Sequence, residues 1–247
     1  MKLDGQVALV TGGGIRLGRA VVQALAAEGA ALAVHHHGSA DAAHAVVAEL
    51  RNAGRRAEAF RADLTDDGQL AALVPAVERA LGPIDVLVNS AARFTRRAFL
   101  DTDGAMLDAE WRLNARAPFL LTRAVARGMV ERRKGVVVNV LDIGGGLVPW
   151  RSYAAYCMTK AALHMLTQVL ALELAPHVRV NGVAPGTVLP PVSLDAGELE
   201  QLRSRIPLQR LGTPEDVAEA VRFLVTGPDF ITGQVVAVDG GRVLGTR

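Results

Sequence analysis

The sequence predicts an α/β fold built on a seven-stranded parallel sheet with helices on both faces. Three observations carry this prediction. Short runs rich in Val, Leu and Ala alternate with longer stretches of helical pattern; the short runs are apolar at nearly every position rather than at every second one; and turn residues fall where the pattern switches. Strands that are apolar throughout are buried on both faces, which is what βαβ crossovers impose.

In chain order, the first strand, Val7-Thr11, runs into a glycine-rich turn and a helix at Leu17-Glu28 that Gly29 ends. The strand Ala31-His36 leads to a helix at Ala40-Asn52 closed by Gly54, and Ala57-Ala62 leads to a helix at Gln69-Leu81 closed by Gly82-Pro83. Val86-Asn89 precedes a long helix at Asp108-Arg132, Gly135-Leu141 precedes another at Tyr153-Leu174, and Arg179-Val183 ends at the turn Pro185-Gly186. The last helix, Pro214-Leu224, has the clearest start, with Thr213 as N-cap, Pro214 at the first helical position and Asp216 three residues after the cap. Val235-Val238 completes the set. The segment 188–206 differs from the rest. It starts at Val188, holds Pro190 and Pro191 and then a polar helical stretch, and follows a strand on the side where open α/β sheets bind ligands, so it is expected to act as a substrate loop.

The 247 residues, half of them hydrophobic, suit one domain spanning 1–247. Lys and Arg total 27 against 25 for Asp and Glu, and the cations are scattered, so nucleic acid is not an expected partner. Cys157 is the only cysteine, which excludes an intrachain disulfide and a cysteine-based metal site and fits a reducing, cytoplasmic compartment. Met1-Lys2-Leu3-Asp4-Gly5 passes straight into a strand, and no apolar run approaches the roughly 20 residues of a membrane span. A soluble, unprocessed chain is expected.

Chemistry concentrates at a few points. Tyr156 and Lys160 stand four apart in a helical run and so share a face, where an ammonium beside a phenol favours the phenolate and lowers its pKa. Gly12, Gly13, Gly14 and Gly18 lie between the first strand and the first helix, where the backbone can approach a pyrophosphate at a helix N-terminus, as in a doubly wound Rossmann fold. The second strand ends in His35-His36-His37-Gly38-Ser39, with no carboxylate before Asp41. A carboxylate there would repel a 2'-phosphate, so its absence favours NADP(H), with His37, Ser39 and Arg16 available as donors. Neighbouring strand residues point to opposite faces, so the three histidines do not make a metal site. Asp142 ends a very apolar strand, fourteen residues before Tyr156.

The turn Thr11-Gly12-Gly13-Gly14-Ile15-Arg16-Leu17-Gly18, the segment Asn89-Ser90-Ala91-Ala92, and the Tyr156/Lys160 pair together resemble the short-chain dehydrogenase/reductase family, from about Gln6 to Gly241. Arg16, where most of that family carries glycine, and Asp142, where most carry serine, resemble the pteridine reductase branch. The resemblance implies a catalytic set of Asp142, Tyr156, Lys160 and Asn114, the last in a bent helix whose freed carbonyl holds a relay water. It implies cofactor contacts from Gly12, Gly14, Arg16, Leu17, Gly18, His37, Ser39, Asp63 (adenine), Asn89, Ser90 and Ala91 (adenosine ribose), Tyr156, Lys160, Pro185, Gly186 and Val188. A pterin or folate substrate would meet Arg16, Phe94, Asp142, Tyr153 and Tyr156, with Phe94 stacking on the ring. Ala92 departs from the branch, which has serine there and so one more hydroxyl contact. Arg93, Arg96 and Arg97 read as solvated surface, the other reading being contact with an anionic tail. The expected activity is NADPH-dependent reduction of a dihydropterin or dihydrofolate by a homotetramer. The rivals are a carbonyl, quinone or 3-oxoacyl reductase of the same family, and a non-catalytic NADP(H) sensor.

Overall fold

The computed structural model describes residues 3–189 and 195–245. Among them seven strands form one parallel sheet: β1 (Val7–Val10), β2 (Ala31–His36), β3 (Ala57–Arg61), β4 (Ile84–Asn89), β5 (Gly135–Val140), β6 (Val178–Pro185) and β7 (Val235–Val238), in the order β3-β2-β1-β4-β5-β6-β7. Along the central strands successive residues enter opposite cores. Ala8, Val10, Val34, Val88 and Val138 pack on one face, and Val7, Leu9, Ala33, Leu87 and Val137 on the other.

The first face is covered by α1 (Arg16–Ala27), α2 (Ala40–Asn52) and α9 (Pro214–Thr226), through residues such as Val21, Leu25, Val46, Val217 and Val221. The second is covered by α3 (Asp67–Leu81), α5 (Ala117–Glu131) and the end of α7 (Ala154–Glu173), through Leu73, Val77, Leu121, Met129 and Ala171. Truncating a fully buried leucine such as Leu9 or Leu121 to alanine should cost roughly 2–5 kcal/mol. The strand order reverses on either side of β1, so the carboxyl ends of β1 and β4 border the crevice that open α/β sheets use for ligands.

The structure moves several predicted boundaries for physical reasons. The helix expected from Asp108 starts earlier as α4 (Gly104–Trp111), because the Asp103 carboxylate accepts from Met106 N–H and caps it. It then loosens into a π turn at Arg112–Arg116 before α5. β6 extends to Pro185, which has no N–H to give but sits at the strand's last position. The predicted cap of α9 forms as a full capping box, Asp216 N–H to Thr213 Oγ1 at 3.2 Å and Thr213 N–H to Asp216 Oδ2 at 2.8 Å. Of the predicted loop 188–206, residues 190–194 lie outside the described residues. Its remainder carries α8 (Ala196–Ser204), capped by Asp195 and Glu198. A four-residue turn after β5, α6 (Ile143–Gly146), contains the non-helical Gly144 and Gly145. No helix among the described residues is long and apolar enough to cross a membrane.

Candidate active site

A cavity of about 900 Å³ opens at the carboxyl ends of the strands and runs from the glycine turn to the start of α7. At one end its wall is backbone. Gly12 holds φ +66°, and a Cβ on Gly18 would run into the carbonyl oxygen of Gly12, so only glycine lets the turn close this tightly. Thr11 fixes this turn to the end of β4: its Oγ1 accepts from Ser90 N–H (2.9 Å) and Ala91 N–H (3.0 Å). His35 fixes it to β3. Its Nδ1 accepts from Gly12 N–H at 3.2 Å while Nε2 donates to the Ala62 carbonyl at 3.0 Å. Burial pushes this imidazole down to about 4, so it stands neutral with the proton on Nε2. His35 is thus a structural clamp that the strand-end histidine run did not reveal.

His37 is exposed, with Nε2 3.8 Å from Asp63 Oδ2. Asp63 Oδ1 accepts from Thr65 N–H (2.8 Å) and Thr65 Oγ1 (2.7 Å), and these bonds hold its carboxyl below the usual range. Ser39 precedes α2 with its hydroxyl uncommitted to a cap. Arg16 adopts φ +50°, a region glycine enters freely and arginine only at a cost of about 1–2 kcal/mol. Its guanidinium donates weakly to the Leu189 carbonyl at 3.4 Å. Among the described residues no three His, Cys, Asp or Glu side chains gather as a metal site.

The other end of the cavity is made of side chains. Tyr156 Oη donates to Asp142 Oδ2 at 3.0 Å, and Gly144 N–H donates to Asp142 Oδ1 at 2.6 Å. Burial raises the Asp142 carboxyl to about 6, against the lowering effect of the Gly144 bond and the Lys160 charge. Burial also drives Lys160 down to about 8; its ammonium donates to the Val140 carbonyl at 2.8 Å and lies 5.7 Å from the Tyr156 ring centroid. The expected lowering of the tyrosine pKa does not occur in this arrangement. Burial and the neighbouring Asp142 charge push the phenol up instead, so Tyr156 stands as a protonated donor to a carboxylate that is itself poised to protonate.

Around this pair Phe94, Trp150 and Tyr153 form an aromatic wall. Phe94, 50% exposed, stacks on Tyr153 (4.6 Å, 10°) and meets Tyr156 (4.7 Å) and Trp150 (6.1 Å) edge-on. Trp150 was not anticipated. Its signal lay in Gly144-Gly145-Gly146, a run that lets the chain turn back so that Trp150 lies against the bare backbone of Gly144. Arg242, placed over the Trp150 ring, is likewise unanticipated, and only the tertiary fold brings it there.

The cavity brings together the predicted residues Gly12, Arg16, Leu17, Gly18, His37, Ser39, Asp63, Ser90, Ala91, Phe94, Asp142, Tyr153, Tyr156, Lys160, Pro185, Gly186 and Val188. Gly14, Asn89 and Asn114 lie behind the wall. Gly14 packs against Ala43 of α2. Asn89 faces inward, donating to Asn139 Oδ1 at 2.8 Å across the sheet rather than toward a ribose. Asn114 sits in the predicted distortion, but its side chain clamps the backbone of Arg93, accepting from N–H and donating to C=O at 2.8 Å each. It therefore holds the segment that presents Phe94. Glu110, 2% exposed, does the same for Thr95, accepting from its N–H at 2.9 Å.

A cavity with a glycine-turn cradle at one end and a proton-bearing Asp-Tyr-Lys group at the other fits an extended dinucleotide. A protein-family model described as enoyl-(acyl carrier protein) reductase matches residues 14–242. The chain is 37% identical to 2,3-dihydro-2,3-dihydroxybenzoate dehydrogenase of Bacillus subtilis, over 98% of each chain. It is also 37% identical to a 3-oxoacyl-[acyl-carrier-protein] reductase of Synechocystis, again over 98% of each. Among solved structures, FolM alternative dihydrofolate reductase 1 from Brucella canis, complexed with NADP, superimposes with a TM-score of 0.92 at 32% identity, covering 98% of this chain and 96% of that one. The chain belongs to the short-chain dehydrogenase/reductase family of NAD(P)(H)-dependent oxidoreductases.

Proposed function

We propose that this enzyme is an NADPH-dependent reductase of a pterin-like substrate, a dihydropterin or dihydrofolate. The observation that carries the reading is the Tyr156–Asp142 hydrogen bond beneath the exposed Phe94 ring. A carboxylate repels the oxyanion that develops when a ketone is reduced, whereas a carboxyl that titrates near neutrality can hold and protonate a basic ring nitrogen. The similarity to a FolM structure at 32% identity points the same way.

NADPH, when bound, supplies the hydride to a ring carbon. Gly12, Gly18 and the backbone at Ser90 and Ala91 would hold its phosphates and adenosine ribose, Asp63 the adenine, and Arg16, His37 and Ser39 the 2'-phosphate. Pro185, Gly186 and Val188 would flank the nicotinamide, and Lys160 its ribose. Asp142 orients the substrate ring and delivers a proton, Tyr156 relays the replacement proton from solvent to Asp142 through its 3.0 Å bond, and Phe94 presents a stacking face. Asn114 and Glu110 act as positioning residues for the Phe94 segment. The chain works as one domain, with the substrate loop expected at about 188–206.

We place it in the cytoplasm and assign it a homotetramer, supported by the exposed apolar side chains Phe119 on α5 and Met165, Val169 and Leu172 on α7. Light scattering at micromolar concentration should return four times the chain mass; a monomer would contradict the assembly.

The rival reading, a carbonyl reductase, draws on the 3-oxoacyl reductase relative. Following NADPH oxidation against dihydropterins, dihydrofolate, 3-oxoacyl thioesters and quinones separates the two. Pterin turnover should depend on protonated Asp142, so kcat/KM should be flat below about pH 6 and fall as pH rises above it. Asp142→Ser should abolish that dependence along with most of the turnover. An enzyme that reduces ketones or quinones and ignores every reduced pterin would overturn the reading.

A further inference from the structure

Arg242 lies just after β7, in the short 3-10 turn Arg242–Leu244. Its guanidinium sits 5.5 Å from the Trp150 ring centroid and donates to Thr187 Oγ1. Among the described residues no carboxylate forms an ion pair with it, although the fields of Asp142 and Asp239 reach it. Arg205, a second cation without an ion pair among the described residues, lines the same cavity and repels it. Half-buried guanidinium is unfavourable unless its lost water is replaced by acceptors, and one hydroxyl and one ring face satisfy only part of a five-donor group. Arg242 lines the cavity, and the Asp142 carboxylate there is committed to Tyr156 and Gly144.

We propose that Arg242, with Arg205 beside it, is the subsite for a carboxylate carried on the substrate, so that the preferred substrate is a flat heterocycle with an acidic tail. The proposal rests on the pterin-like reading of the cavity and sharpens it. The aromatic wall supplies the path. A ring stacked against Phe94 can run its substituent along Trp150, 6.1 Å away edge-on, and Trp150 in turn lies under Arg242. A simpler role for Arg242, as a counter-charge to Asp142 alone, would affect every substrate alike. The subsite would affect only those with an anion.

Dihydrofolate and its neutral dimethyl ester share the ring and differ in the charge of the tail, and their kcat/KM values with NADPH decide the matter. The acid should be favoured by about ten- to a hundredfold, the range of one charge-assisted contact. Added salt should shrink the ratio, Arg242→Met should collapse it toward one, and Arg242→Lys should keep part of it. Equal values for acid and ester in the unaltered enzyme would overturn the subsite and leave the pterin reading intact. Failure to turn over either compound would instead overturn the pterin reading. The subsite then stands or falls on p-aminobenzoylglutamate titrated into the Trp111→Phe protein, whose remaining tryptophan is Trp150. Fluorescence quenching that Arg242→Met removes supports it; no quenching overturns it.

Discussion

The two ends of the cavity are built in different ways. The proposed cofactor end is backbone held close by glycines and by two buried side chains, Thr11 and His35, whose bonds run to main-chain groups. The proposed substrate end is side chains, contributed by the segment after β4, the turn after β5, the start of α7 and the turn after β7. A backbone site tolerates few sequences, because a single Cβ closes it. A side-chain site can be re-equipped while the scaffold stays, which agrees with relatives 37% identical to this chain bearing names as different as 2,3-dihydro-2,3-dihydroxybenzoate dehydrogenase and 3-oxoacyl-[acyl-carrier-protein] reductase.

The hardest test of the contrast is Tyr156→Phe. Only the hydroxyl is lost, so the backbone-made end should bind NADPH as before while kcat falls about two to four decades, the usual contribution of general acid-base catalysis. Stopped-flow fluorescence for the cofactor and steady-state rates for turnover read the two ends separately. Near-normal kcat would remove Tyr156 from the chemistry; lost cofactor affinity would mean that the two ends are not independent.

The same contrast explains what was legible in the sequence. The strands and the glycine turn were readable because their signals are local: apolar runs of fixed length, and glycines at the spacing a tight turn demands. Asp142, Tyr156 and Lys160 were readable because they lie on one turn and one helix. The π turn at Asn114 announced itself only as a polar residue in an apolar helix, and the direction of its side chain, toward Arg93, could not follow from spacing. Arg242 is 92 residues from Trp150 and shares no local pattern with it, and the rise in the tyrosine pKa needs the burial that only the folded site supplies.

His35 gives the cofactor end a titratable weakness. Its ordinary value is 6.5 and the folded protein holds it at about 4, so the unfolded chain binds the extra proton first. The stability this represents is fully present above pH 6.5 and is lost as pH falls toward 4, amounting to about 3 kcal/mol. Urea denaturation across that window should show a slope that flattens in His35→Asn, which keeps an acceptor for Gly12 N–H without the charge. An unchanged slope would assign the acid sensitivity to other groups. A smaller effect at the same end is cofactor choice. With no carboxylate between His36 and Asp41, NADPH should outperform NADH by about one to two decades in kcat/KM, and Ser39→Asp should reverse part of that preference. Equal efficiency with both cofactors would detach His37 and Ser39 from the 2'-phosphate.

The smallest predicted effect tests whether the substrate end is as modular as it looks. Phe94 is half exposed and stacked on Tyr153, so Phe94→Ala removes one aromatic face and little core, and stability should barely change. A stacking face is worth about 1 kcal/mol, which raises the pterin KM roughly fivefold while kcat stays within a factor of two. The split matters more than its size. A ring that only binds substrate moves KM alone, whereas a ring that also aligns Tyr156, which it touches edge-on at 4.7 Å, would lower kcat and shift its pH profile. A fall in kcat of tenfold or more would show that Phe94 packs the proton donor into place, and that the substrate end cannot be re-equipped one side chain at a time.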